Sequence, residues 1–235
     1  MIFSLILALA TTANAYTIKT TESGEQIRWE DQVVHYQINP DSHLVGESDA
    51  TEAIRRAFDE WNAVSEVPVR FKYRGYTEDI GADYTDINII SFEDEWSENL
   101  DPSLLALTYT WNDDSGKIIA FDIIINPDFK WDTEGGPNRP DLQNAITHEV
   151  GHVLGLGHSE IWDATMAATS PNGEISKRTL EEDDIHGVTY LYTGVELEFQ
   201  QDIACSTSSN KATMALIIPF IFTIFTRRTK NEEWF

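Results

Sequence analysis

Residues 148–158 constrain this chain more than any others; they read His-Glu-Val-Gly-His-Val-Leu-Gly-Leu-Gly-His and hold three of its six histidines. His148 and His152 stand four apart, so on a helix both imidazoles lie on one face, one turn from each other. Two donors at that spacing can grip one tetrahedral ion. Glu149 sits beside the first of them, angled to reach a water at the metal but not to replace it. Gly155 can take a positive φ, so the helix can stop there and the chain can turn back, bringing His158 round as a third ligand. Three protein ligands leave one position open, which separates a catalytic zinc site from a closed structural one. Zinc lowers the pKa of water to about 7, and Glu149 can take the proton as that water attacks an electrophilic carbon. A single histidine on a helix is ordinarily structural. Here ligands, acid and glycine all occupy the positions that one metal site requires.

The rest of the chain supplies a scaffold. Segments 33–38, 68–73, 86–92, 105–111 and 118–125 read as strands, from their alternation or their continuous apolar runs. Segment 48–64 reads as an amphipathic helix, with Ile54, Phe58 and Trp61 at helical spacing and Ser48 as its cap. A helix is expected over 142–154 after an Asp141 cap, and another over 180–192 with Thr179 and Glu182 as a capping box and Gly194 as a stop. Asp113, Asp114 and Gly116 mark a turn between the last two strands; they suit a plain hairpin or a calcium ligand set.

The histidine pattern resembles the metzincin signature, H-E-x-x-H-x-x-G-x-x-H with a later Met-turn. Ser159 follows the third histidine and Met166 comes eight residues after it, which is similar to the matrixins, the family of the matrix metalloproteinases and their bacterial relatives. The segment Leu180-Glu181-Glu182-Asp183-Asp184-Ile185-His186-Gly187 resembles the family's L-x-x-D-D-I-x-G, and Ala57-Phe58 with Trp61-Asn62 fits its first helix. The resemblance covers about residues 27–193.

It implies an α+β, zincin/metzincin-like fold: a twisted, mostly parallel five-stranded sheet with three helices, the active-site helix being followed by the Met-turn. It implies a zinc metalloendopeptidase with His148, His152 and His158 on one catalytic Zn2+ and Glu149 as the catalytic residue. Gly155 would be the structural turn and Met166 an apolar floor beneath the zinc. Asp183 and Asp184 would anchor the last helix to the Met-turn region and the chain start. A protein or peptide substrate would bind as an extended strand along segment 105–111.

The chain also departs from the family pattern. Vertebrate matrixins hold a second, structural zinc through three histidines and an aspartate, whereas residues 86–125 contain no histidine, so that zinc is not expected. Calcium (Ca2+) stays possible. The family's proline two residues after the methionine is replaced in Met166-Ala167-Ala168. No cysteine stands between Tyr16 and the first strand, so control by a cysteine switch is not expected; Cys205, the only cysteine, lies after the catalytic domain as a free linker thiol or a lipidation point.

Composition excludes one class of partner. With 40 Asp+Glu against 16 Lys+Arg the formal net charge is −24, a surface that repels phosphate backbones, so no nucleic acid is expected to bind. The charge suits solubility, or selection of basic substrates. Residues 1–15 read as a signal peptide ending in Ala13-Asn14-Ala15, cut before Tyr16. A catalytic domain over 16–194 and a polar linker over 195–211 follow. Segment 212–235 reads as a membrane anchor or sorting tail, an apolar run followed by Arg227, Arg228 and Lys230. A fifteen-residue helix over 212–226 reaches about 22 Å, short of a bilayer core of about 30 Å, so it would span with help from its flanks. The basic flank puts the C-terminus on the cytoplasmic side and the catalytic domain outside, exported and either surface-anchored or released.

Overall fold

The structure is a computed structural model that describes residues 15–42 and 45–197. Nearly all of the expected signal peptide, Cys205 and the expected tail lie outside the described residues. Among the described residues no helix is long and apolar enough to cross a membrane.

Five strands form one sheet: β1 (Val33–Asn39), β2 (Arg70–Tyr76), β3 (Asn88–Phe92), β4 (Ala106–Asn112) and β5 (Ile118–Ile125), in the order β2-β1-β3-β5-β4. All neighbours pair parallel except β4, which runs antiparallel to β5 at the sheet's edge. Three helices complete the α+β domain: α1 (Glu47–Asn62), α2 (Leu142–Leu154) and α3 (Glu182–Thr193). A mostly parallel sheet needs cover on its faces, and the continuous apolar run of β5 answers that need. Phe121, Ile123 and Ile125 lie on one face and Ala120, Asp122 and Ile124 on the other, and all six are buried.

The core lies between the sheet and the first two helices. Ile54, Phe58 and Trp61 of α1 are buried, as their spacing requires. Phe58 stacks on Tyr36 of β1 with ring centroids 4.1 Å apart and meets Phe71 of β2 edge-on at 5.2 Å. Trp61 reaches across to α2, where its indole N–H donates to the Thr147 carbonyl at 2.8 Å. Buried aromatic pairs of this kind add about 0.5–1.5 kcal/mol each beyond their area.

Several boundaries differ from the sequence expectation for physical reasons. Pro68 stands outside β2, which starts where the Arg70 N–H donates to Gln32 at 2.9 Å. The strand then runs on to Tyr76 through Gly75 at φ +106°, where the register with β1 shifts. Ser48 is not the cap of α1: the helix begins at Glu47 after Gly46, with no side-chain cap. The expected Thr179–Glu182 box does not form either. Thr179 is extended after a short 3-10 turn, Ser176–Arg178, and Asp184 instead accepts the N–H of Glu181 at 2.9 Å. At the β4–β5 turn, Asp113 Oδ1 accepts from Ser115 N, Ser115 Oγ and Lys117 N at 2.9, 2.6 and 3.1 Å, closing the hairpin.

Candidate active site

Helix α2 sets the site. Its N-cap Asp141 accepts the Asn144 N–H at 2.9 Å, and Gly155 ends it at φ +102°. No side chain fits at Gly155, because a Cβ there would collide with the Ile27 carbonyl. The chain then turns back through Leu156, held by an antiparallel bridge to Ile18, and Thr17 Oγ1 donates to the His158 carbonyl at 2.7 Å.

This path brings His148, His152 and His158 together, with one nitrogen of each within 4.8 Å of the others. They are the sole group of three such donors among the described residues. His148 Nδ1 faces the Thr165 carbonyl at 2.7 Å and His152 Nδ1 faces the Leu156 carbonyl at 2.8 Å. Burial, first, and then neighbouring charged groups hold both imidazoles well below their ordinary pKa, so both rings are neutral. A neutral ring that donates through Nδ1 carries a lone pair on Nε2. The two Nε2 atoms face each other at 3.1 Å. Ligand nitrogens on one tetrahedral zinc stand about 3.3 Å apart, so this pair fits that ion, with His158 close enough to complete the set. The carbonyls behind each ring fix its tautomer, as metal-binding imidazoles require.

Glu149 is buried beside the cluster. Burial pushes its pKa up to about 7, against the pull of a hydrogen bond from Thr108. Oε2 takes that bond at 2.5 Å, while Oε1 has no hydrogen-bond partner among the described residues.

Met166 is 1% exposed, and its thioether packs where a Cβ on Gly151 would stand. Asp184 holds its turn, accepting the Thr165 N–H at 2.8 Å and the Met166 N–H at 2.9 Å. Asp183 accepts the Ser159 hydroxyl at 2.6 Å, next to His158. After the turn, buried Lys177 donates to the Ala167 and Thr169 carbonyls at 2.5 and 2.8 Å. Burial lowers its pKa to about 8.

Sequence reasoning missed three residues here. Gly151, inside α2, leaves the space that Met166 and Trp61 fill. A glycine within a helix does flag close approach, so that signal was present. Thr108 was read as part of a strand, and nothing in the sequence ties it to Glu149. Lys177 carries no sequence signal at all.

The matrixin family model matches residues 28–193. The chain is 33% identical over 167 residues to metalloendoproteinase 4-MMP of Arabidopsis thaliana, covering 70% of this chain and 46% of that protein. It is 33% identical over 173 residues to human matrix metalloproteinase-16, covering 70% of this chain and 27% of that protein. Human matrilysin is 38% identical over 77 residues, covering 33% of this chain and 28% of its own length. The chain thus spans less than half the length of these curated relatives. The family match takes in the sheet, the helix with its histidines and the turn at Met166, and the chain belongs to the matrixin family.

Proposed function

We propose that this chain is a zinc-dependent endopeptidase that hydrolyses peptide bonds of extracellular or cell-envelope proteins. His148, His152 and His158 hold the metal, and Glu149 is the general base. The observation that carries the reading is the convergence of three histidines, with His148 Nε2 and His152 Nε2 3.1 Å apart, beside a buried carboxylate with one oxygen that has no hydrogen-bond partner among the described residues. Zinc bound there supplies Lewis-acid polarisation of the scissile carbonyl and makes water acidic enough to deprotonate near neutral pH. Glu149 takes the proton of the attacking water at Oε1 and returns it to the leaving amine nitrogen.

The substrate lies extended along β4, whose outer edge has no strand neighbour among the described residues. Edge N–H and C=O groups recruit any extended backbone, which makes cleavage tolerant of sequence. Export by the 1–15 signal peptide puts the domain outside the membrane, where the 212–235 tail either tethers it or is processed to release it. N-terminal sequencing of the mature protein and membrane fractionation test those two assignments.

The decisive experiment is hydrolysis of casein or gelatin by the purified chain, with and without a zinc chelator. Cleavage is expected to be chelator-sensitive. Glu149→Gln is expected to keep its zinc and lose about a hundredfold or more in rate. Full activity in that variant removes Glu149 from the mechanism.

A further inference from the structure

We propose that Thr108 is the positioning residue for Glu149: its hydroxyl anchors one carboxylate oxygen so that the other is aimed at the reacting water. The inference rests on Glu149 being the base and adds how that base is held.

Thr108 pairs with Ile123 in the β4–β5 ladder, so its side chain leaves the sheet on the core face, toward α2. Its Oγ1 stands 2.5 Å from Glu149 Oε2 and 3.2 Å from the Glu149 carbonyl. A hydroxyl has one proton, and the nearer carboxylate oxygen, a charged acceptor, takes it. The bond fixes which oxygen does what. Oε2 is engaged, and Oε1 is buried without a hydrogen-bond partner among the described residues. A glutamate's terminal torsion is broad and roughly two-fold, so a carboxylate without an anchor samples several orientations. Threonine suits the anchoring role because its β-branch restricts χ1, so the strand's backbone itself aims the hydroxyl. The strand proposed to receive the substrate therefore also orients the base, and both sides of the reaction refer to one rigid element.

The test uses the full chain with its zinc, an unstructured peptide substrate, and the variants Thr108→Val, Thr108→Ser and Glu149→Gln. Valine keeps the shape and branch and removes the hydroxyl; serine keeps the hydroxyl. Thr108→Val is expected to bind zinc as the parent does, hold KM within about twofold and lose kcat by about ten- to a hundredfold, the scale of a misplaced catalytic group. Thr108→Ser is expected to keep kcat within about threefold of the parent. In a metal-free crystal of Thr108→Val the Glu149 carboxylate is expected to leave its present orientation. The proposal is overturned if Thr108→Val keeps the parent kcat while Glu149→Gln is inactive. It is overturned equally if serine falls as far as valine, or if the valine variant loses zinc in step with kcat. Activity persisting in Glu149→Gln instead sinks the general-base reading itself.

Discussion

The thioether of Met166 fills the volume that a side chain on Gly151 would occupy. A Cβ at Gly151 collides with Met166 Sδ and comes within 2.9 Å of Trp61 Cζ2. Gly151 lies between Glu149 and His152, so the helix that carries the site touches Met166 and α1 without an intervening side chain. Alanine is the better helix former by about 1 kcal/mol, but here the steric conflict dominates. Gly151→Ala is expected to destabilise the fold by about 1–3 kcal/mol, the usual cost of overpacking. Urea denaturation measures it, and an unchanged or raised midpoint would show that Met166 can give way.

Asp184 makes a second testable link. Its two oxygens accept the Thr165 and Met166 N–H groups, and the Thr165 carbonyl in turn faces His148 Nδ1. Asp184→Ala strands buried donors and is expected to cost about 3 kcal/mol. Because the same turn orients an imidazole, zinc affinity is expected to fall about tenfold or more, as for other partners behind a metal ligand. Competition with a chromophoric chelator reads that affinity; an unaltered value breaks the link.

Metal analysis of the purified chain is expected to give a single zinc per chain. The described residues hold one cluster of suitable donors, and the stretch where the family's vertebrate members place a second set has no histidine. Stripping the ion is expected to abolish hydrolysis and lower the melting temperature, since the ion binds the folded chain alone. Two zinc ions per chain refute the prediction.

Glu93, just past β3, gives a pH prediction. Burial pushes its pKa up to about 7, with Asp94 and Asp122 adding to the rise, and its Oε1 has no hydrogen-bond partner among the described residues. The folded state therefore binds this proton more tightly than the unfolded chain does. Stability linked to it is fully present below the ordinary value of 4.5 and is lost as pH rises through about 7. Glu93→Gln is expected to gain stability over the parent at pH 8 and little at pH 4. Denaturation of both chains across that range checks it, and a gap that does not change with pH contradicts it.

The site's own helix was legible because its signals are local. Asp141 caps it, Gly155 stops it at positive φ, and the bounds 142–154 follow from those two residues. The burial of Ile54, Phe58 and Trp61 followed from helical period in the same way. The starts of α1 and α3 were not legible. Ser48 and Thr179 are good caps in isolation, but the chain enters each helix elsewhere, at Gly46 and Glu181, where packing sets the entry.

The sequence by itself determined the histidine spacing, the turn that returns the third histidine, and the alternation or continuous apolar runs that mark five strands. Periodicity reports which side chains are buried, because burial repeats with the backbone. It does not report what they are buried against. The strand order, Thr108 set against Glu149, Met166 seated over Gly151 and Asp184 gripping the Met166 turn all join residues distant in the chain. Only tertiary packing decided them, since each exists where two elements meet and neither element encodes the other's position.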